Sequence, residues 1–180
     1  GVLMTAGSLN LHDIVVQQNG SWLQFLPRWN VVVQPVGALI FVVAAFAETN
    51  RLPFDLPEAE AELVAGYHTE YSSLSFAAFY MSEYIHMTVA SALITVLYFG
   101  GWNLPWVEVP SGGWPGALGS MAIFACKVAG FMWFFVWVRW TLPRFRYDQL
   151  MRLGWKTLIP LSFVNIVVTG LVILLVNRGG

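Results

Sequence analysis

Cysteine and charge are both scarce in this chain of 180 residues. Its single cysteine, Cys126, excludes a disulfide framework and a cysteine-ligated zinc or iron–sulfur site within the chain. Charged residues make up 11% of the sequence and hydrophobic residues 57%, whereas a typical soluble domain carries roughly 25% charged residues. This composition excludes intrinsic disorder, a nucleic-acid-binding domain and an ordinary water-soluble enzyme, because so few charges cannot cover a soluble surface. It predicts a membrane protein.

Several sequence signatures of enzymes are also missing. The chain has no GxGxxG dinucleotide motif, no P-loop and no Ser–His–Asp order that suggests a catalytic triad. A haem held by two histidines inside the membrane would need a second histidine beside His86 within a span, and the sequence has none there. We therefore expect any redox centre to lie on another chain.

The charges that are present fall into two groups. The net charge is −1, but residues 48–77 hold six acids and one base, Arg51, which sums to −5. Residues 139–156 hold five bases and one acid, Asp148, which sums to +4. We call residues 48–73 the acidic loop and residues 139–156 the basic loop. The near-neutral total thus hides two oppositely charged segments in an apolar chain.

Four apolar segments are long enough to cross a bilayer, which needs roughly 20 residues per helix. They are residues 31–47, 74–99, 114–138 and 157–176. The sequence therefore predicts an all-α, polytopic membrane helical bundle that forms a single membrane domain. Gly1–Leu11 reads as the tail of a helix, which suggests a longer polypeptide. The positive-inside rule places the basic loop on the cytoplasmic or matrix side, and alternation of the spans places the acidic loop on the same side.

The acidic loop admits two interpretations. Pro57 fits the start of a helix, and carboxylates in a first helical turn complement the helix dipole, which would account for Glu58 and Glu60. That explanation does not cover Glu48, Glu62 or Glu70. The second interpretation is a carboxylate array at the membrane face, which can hold and pass protons because each negative charge disfavours ionisation of the next.

Ionisable residues also lie inside the predicted spans, where they are costly and usually functional. Glu83 lies about ten residues into span 74–99, with His86 one turn later, and Lys127 lies near the middle of span 114–138. Glu83 and Lys127 could pair to hold two helices together. Alternatively, Glu83 takes protons from the loop carboxylates, with His86 or Lys127 as its neighbour.

The basic loop has a simple explanation as well, because cytoplasmic bases that flank spans contact anionic lipid. Its aromatic and polar residues also suggest docking of a soluble partner. We expect Arg144, Arg146 and Asp148 to take part in that docking.

Two long motifs resemble a known family. AETNRLPFDLPEAEAELVAGYHTEYS, with Pro53–Gly66 as its centre, is followed by the pair Glu83–Tyr84 and by FGGW at Phe99–Trp102; the second motif is TLPRFRYDQLMRLGWK, Thr141–Lys156. Together they are similar to the membrane subunit that carries the quinone chamber of respiratory complex I, the proton-pumping NADH:quinone oxidoreductase. The resemblance extends over nearly the whole chain, which looks like the C-terminal half of that subunit.

The resemblance implies a set of roles. Glu48, Glu62 and Glu83 would belong to a proton path toward the antiporter-like subunits, with Glu58, Glu60, Glu70 and Lys127 as further members. The chamber and its loop would include Arg51, Phe54 and Asp55. Quinone would be the substrate, and NADH, FMN and iron–sulfur clusters would be bound by other subunits. The partners would be the soluble quinone-site subunits, the membrane-arm subunits and lipid, in a bacterial inner membrane rather than a mitochondrial one.

Two alternatives stay open. One is a homologous subunit of a membrane-bound hydrogenase, a formate hydrogenlyase or an F420H2 dehydrogenase, which share the fold and parts of the acidic loop. The near-complete PFDLPEAEAELVAG motif favours the quinone-reducing enzyme. The other is a secondary transporter with a membrane carboxylate, but the paired repeats common in transporters are not evident in the four spans.

Overall fold

The structure is a computed structural model that describes residues 1–23, 26–49, 54, 73–105, 113–143 and 145–178. Its helices are α1 (Val2–Ala6), α2 (Leu11–Gln17), α3 (Asn30–Val33), α4 (Pro35–Glu48), α5 (Ser73–Tyr98), α6 (Gly113–Thr141), α7 (Tyr147–Leu153) and α8 (Ile159–Arg178). A short antiparallel hairpin pairs β1 (Ser21–Leu23) with β2 (Leu26–Pro27). Within the described ranges the all-α prediction is confirmed, apart from this hairpin.

Two described helices combine the length and the apolar composition needed to cross a membrane. They are Gly113–Thr141 and the continuous helical run Tyr147–Val176, and both expose most of their apolar side chains. Trp133 is 66% exposed and Leu174 is 63% exposed, as side chains facing lipid would be. For segments 31–47 and 74–99, crossing of the membrane stays a prediction, although helices form in both.

The first predicted span is interrupted. Segment 31–47 contains α3 and α4, with Gln34 between them in a non-helical conformation (φ −132°, ψ 65°). Pro35 follows as the first residue of α4, where a missing N–H is tolerated because no helical acceptor precedes it. The first hydrogen bond of α4 joins the N–H of Ala38 to the carbonyl of Gln34 at 3.0 Å. The α4 helix has 14 residues, which makes it about 21 Å long, shorter than a bilayer core of about 30 Å.

A wider turn precedes the last helix. Gly154–Leu158 form a π-helical turn, in which the N–H of Ile159 donates to the carbonyl of Gly154, five residues earlier. Pro160 follows directly. A proline ring inside an α-helix presses on the carbonyl four residues earlier, and the wider turn relieves that contact.

Two apolar clusters hold the helices together. The first joins α4, α5 and α6: the ring of Phe46 lies 4.2 Å from that of Phe135, which is fully buried. Ala45, Phe54, Met87 and Ile94 also belong to this cluster. The second joins α1, α2, α4 and α5 around Tyr98. Since Phe41 contacts Tyr98 and Phe46 packs near Met87, α4 and α5 run antiparallel.

The α5–α6 pair is also antiparallel. The side chain of Lys127 reaches the carbonyl of Phe99, just past the end of α5, whereas Met132 contacts Thr88, within α5, at 3.8 Å. Later residues of α6 therefore lie beside earlier residues of α5. The C-terminal ends of α4 and α6 consequently point toward the N-terminal end of α5.

Candidate functional site

Most of the acidic loop lies outside the described residues. This applies to six of its predicted site residues and to one of the basic loop: Arg51, Asp55, Glu58, Glu60, Glu62, Glu70 and Arg144. The structure does describe Glu48, Phe54, Glu83, Lys127, Arg146 and Asp148. The candidate site is therefore built from these residues and from those that position them.

Glu48 is the last residue of α4 and is exposed in this chain. The following residue, Thr49, is 4% exposed, and its N–H donates to the carbonyl of Ala45 at 3.0 Å. Its hydroxyl donates to the carbonyl of Phe46 at 3.2 Å. Thr49 thus closes the end of α4 from inside the core, which fixes the direction in which Glu48 leaves the helix.

Glu83 lies near the middle of α5 and is half-buried. The contacts of α4 with α5 put Glu48 roughly level with residues 85–91 of α5. Glu83 is then about 3 to 12 Å further along the helix axis, at a rise of about 1.5 Å per residue. His86, one turn after Glu83, is exposed in this chain. Two of the expected path carboxylates thus lie at neighbouring levels, near the middle of α5.

Lys127 lies on α6, and its side chain reaches the C-terminal end of α5. Its Nζ donates to three backbone carbonyls, those of Phe99 at 2.8 Å, Gly101 at 3.0 Å and Asn103 at 2.7 Å. The same ammonium lies 5.1 Å from the ring centroid of Trp29, a cation–π distance. Lys127 therefore acts as a cap on the peptide that leaves α5, where helix carbonyls carry partial negative charge.

The position of Lys127 shows whether its side chain can form an ion pair with Glu83. Glu83 precedes Phe99 by 16 residues, of which all but the last lie in α5. That spacing separates the two levels by about 24 Å along the axis. Lys127 reaches the level of Phe99, so the structure does not bring the two side chains together. The interpretation of Glu83 and Lys127 as a helix-bridging ion pair is therefore disfavoured.

Two polar residues that the sequence did not single out complete the cap. Gln18 is 2% exposed, and its Nε2 donates to the carbonyls of Ile14, Val96 and Leu97 at 3.0–3.3 Å. Its Oε1 accepts from the N–H of Gly100 at 3.0 Å and of Asn30 at 3.2 Å. Asn30 Nδ2 donates to Leu97 O at 2.8 Å. Gln18, Asn30 and Lys127 together satisfy the carbonyls of Val96, Leu97 and Phe99, which lie at the end of α5 where helical partners run out.

The glycine pair of FGGW makes this arrangement possible. Gly100 and Gly101 have φ values of 69° and 53°, in the left-handed region that favours glycine. A side chain on Gly101 would begin 2.8 Å from the Cγ2 methyl of Val15, and one on Gly100 would begin 2.9 Å from the indole nitrogen of Trp29. The motif that carried the family resemblance has a clear structural role: it turns the chain so that its carbonyls face Lys127.

The acidic and basic loops touch each other. Phe54, from the acidic loop, is 5% exposed, and its ring lies 5.7 Å from that of Phe145 in the basic loop. Asp148 lies in the first turn of α7, and the N–H of Arg146 donates to Oε1 of Gln149 at 3.3 Å. Arg146 and Asp148 are both exposed. The Phe54–Phe145 contact supports placing both charged loops at the same end of the bundle.

Comparisons with known proteins agree with the motifs. The sequence model of the family described as NADH dehydrogenase matches residues 1–170. The H subunit of the NADH-quinone oxidoreductase of Flavobacterium psychrophilum is 51% identical over 178 residues, which cover 97% of this chain and 50% of that protein. An H subunit of the NADH-quinone oxidoreductase of Cytophaga hutchinsonii is 49% identical over 176 residues, covering 97% of this chain and 49% of that protein.

A third relative gives the same result. NADH-quinone oxidoreductase subunit 8 of Rhodothermus marinus is 47% identical over 177 residues, which cover 94% of this chain and 51% of that protein. The chain spans about half the length of the curated relatives it matches. The resemblance expected from the two motifs is thereby confirmed, and the chain belongs to the NADH dehydrogenase family.

Proposed function

We propose that this chain is part of a membrane subunit of the proton-pumping NADH:quinone oxidoreductase. In this role it forms the quinone-binding chamber with the soluble arm and couples quinone reduction to proton translocation. One observation carries the proposal: Phe54 of the acidic loop meets Phe145 of the basic loop and is buried against α4, which ends at Glu48, and against α5, which carries Glu83. The names of the relatives, which are subunits of NADH-quinone oxidoreductases, support it.

The buried ring of Phe54 anchors the loop that forms the wall of the chamber. Its burial within the Phe46–Phe135 cluster ties the acidic loop to α4, α5 and α6. The charged residues Arg51, Asp55 and Glu58–Glu62 are close to Phe54 in the sequence. In this proposal they therefore lie near the quinone head group. Reduction of the quinone creates negative charge and a demand for protons, and in a low dielectric that charge acts strongly on neighbouring carboxylates.

The proton path runs from the loop into the bundle. Protons held by Glu58, Glu60, Glu62 and Glu70 pass to Glu48 and then to Glu83. The levels of Glu48 and Glu83 differ by about 3 to 12 Å along the helix axis, and in this proposal water or a further loop side chain bridges the two carboxylates. We place Lys127 outside the transfer steps, as the cation that holds the far end of α5, because three carbonyls already occupy its three N–H donors.

Other subunits of the complex supply the redox cofactors. NADH, FMN and iron–sulfur clusters belong to other subunits, and electrons reach the quinone from the soluble arm. Exposed Arg146 and Asp148, with Arg144, dock a soluble subunit or contact anionic lipid. The relatives named above are bacterial, which supports a location in a bacterial inner membrane.

A photoreactive quinone tests the chamber in the assembled complex, purified through a tag on the subunit that contains this chain. We expect labelling of peptides from residues 48–73 that excess unlabelled quinone suppresses. Phe54→Ala should reduce the labelling, whereas Trp140→Ala, at a side chain that is 85% exposed, should leave it unchanged. Labelling confined to residues 113–141 would contradict a chamber formed by the acidic loop.

The same preparation distinguishes an NADH:quinone oxidoreductase from the related hydrogenase and formate-oxidising complexes. Mass spectrometry of the co-purifying soluble subunits should reveal an NADH-oxidising module, together with inhibitor-sensitive quinone reduction. A hydrogenase or a formate-oxidising module in its place would assign the chain to one of the related complexes.

A further inference from the structure

Two basic residues lie where the last helical run becomes apolar. The α7 helix, the π-helical turn and α8 form one continuous helical run from Tyr147 to Val176. Arg152 lies in the last turn of α7, and Lys156 follows four residues later, within the π-helical turn. Helical residues four apart lie on the same side, about 6 Å apart along the axis. Arg152 and Lys156 therefore place two positive charges on one side of this run.

Both basic side chains are exposed and unpaired in the part of the chain that the structure describes. Within those ranges, neither the guanidinium of Arg152 nor the ammonium of Lys156 has an ion-pair partner. Asp148, one turn before Arg152, is exposed as well and does not pair with it. The two charges are therefore available to an anion from outside this part of the chain.

The surface that follows this pair is apolar. Every exposed described residue from Ile159 to Val176 is apolar, and Phe163 is 65% exposed. Residues 157–177 carry no charge, and at a rise of about 1.5 Å per residue they cover about 31 Å. That length matches a bilayer core of about 30 Å. Lys156 therefore lies at one membrane surface when this run crosses the bilayer.

An exposed tryptophan marks the same level. Trp155 directly precedes Lys156 and is 67% exposed. Tryptophan is enriched at membrane–water interfaces, where its ring lies at the level of the lipid headgroups. The positive-inside rule places the basic loop on the cytoplasmic or matrix side, where anionic lipids give the membrane a negative surface potential. The pair of bases and the indole thus face a surface of opposite charge.

We propose that Arg152, Trp155 and Lys156 bind the headgroup of an anionic phospholipid, whose acyl chain lies along Ile159 and Phe163. The two bases contact phosphate oxygens, and the indole packs at the level of the glycerol. A soluble protein fits this surface less well, because exposed apolar residues begin within one turn of Lys156. The inference rests on the membrane location in the proposed function and does not depend on the quinone chamber.

Photoreactive phospholipids test the site in the assembled complex. Phosphatidylglycerol and phosphatidylcholine, each with a diazirine in one acyl chain, are added at equal low mole fraction to vesicles of phosphatidylcholine that contain the complex. We expect the anionic probe to label peptides from residues 155–163 about 30-fold more than the zwitterionic probe, since two bases act on its charge. Excess unlabelled phosphatidylglycerol should suppress that labelling.

The controls lie in the same chain. Residues 114–126 of α6 carry no charge and include exposed Trp114 and Met121, so both probes should label them equally. The double variant Arg152→Gln with Lys156→Gln should lose the preference for the anionic probe at residues 155–163. The double variant Arg152→Lys with Lys156→Arg keeps both positive charges and should retain it.

Three results would overturn the proposal. The first is equal labelling of residues 155–163 by both probes, which would show apolar contact without headgroup recognition. The second is labelling of residues 114–126 alone, which would show that a protein covers the site. The third is an undiminished preference in the glutamine variant. The wild-type comparison decides even if a variant fails to assemble. Quinone reduction is measured in the same vesicles, and its absence would contradict the proposed function while leaving the labelling result unchanged.

Discussion

Replacement of Lys127 by methionine tests the cap at the end of α5. Methionine keeps much of the aliphatic stem but removes all three donors to Phe99, Gly101 and Asn103. A hydrogen bond to a charged group contributes about 1.5–3 kcal/mol, and adjacent bonds are not additive. Because burying the ammonium also costs desolvation, we expect a local loss of about 3 kcal/mol rather than the sum of three bonds.

Hydrogen exchange of the segment Thr95–Asn103 measures this loss. The N–H of Gly101 donates to Thr95 O at 2.9 Å, and that of Asn103 donates to Gly100 O at 3.0 Å, so both report opening of the cap. A loss of about 3 kcal/mol corresponds to exchange roughly 150-fold faster, at 1.36 kcal/mol per tenfold. Lys156→Met, at an exposed lysine in the basic loop, is the control and should change neither amide.

Two results would refute this reasoning. The first is exchange in Lys127→Met that stays within about twofold of wild type, which would show that the three bonds do not hold the segment closed. The second concerns Lys127→Arg, which keeps the charge and several donors. If Lys127→Arg restored slow exchange but not proton pumping, Lys127 would transfer protons, and its placement outside the path would be wrong.

Three further predictions concern packing. Phe135→Ala should destabilise the subunit by about 3–5 kcal/mol in thermal or denaturant unfolding, because Phe135 is fully buried, whereas Trp140→Ala should change stability by less than about 0.5 kcal/mol. Gln18→Leu should cost about 2–4 kcal/mol, since it leaves backbone groups at the end of α5 unpaired; unchanged stability would show that water replaces the amide. A double-mutant cycle of Phe54→Ala and Phe145→Ala should give a coupling of about 1 kcal/mol, and zero coupling would argue against a working contact between the two loops.

The composition and the apolar runs predicted the helices because a bilayer requires long apolar segments. They could not show that segment 31–47 is interrupted, although Pro35 marked the place. Proline is compatible with a kinked helix or with a break, and the backbone of Gln34 decides between them. Composition could not predict the π-helical turn before Pro160 either.

The sequence likewise revealed some residues of the candidate site and missed others. Glu48 and Glu83 stood out in the sequence because charge is rare in an apolar chain. The cap did not, because Gln18 and Asn30 are ordinary polar residues in a segment outside the predicted spans, and their partners lie far along the chain. Lys127 was identified as unusual but not explained. Its acceptors are backbone carbonyls, which leave no signal in residue type.

The proton yield of quinone reduction tests the central proposal most directly. Protons translocated per quinone reduced are compared in membrane vesicles for the wild-type complex, Glu83→Gln and Asp13→Asn. Asp13 is the control, since it lies on α2 beside the far end of α5 and accepts from Ser8 at 2.8 Å. We expect a lower ratio in Glu83→Gln with the complex still assembled, and an unchanged ratio in Asp13→Asn. Wild-type pumping and wild-type quinone reduction in Glu83→Gln would contradict a proton path through Glu83.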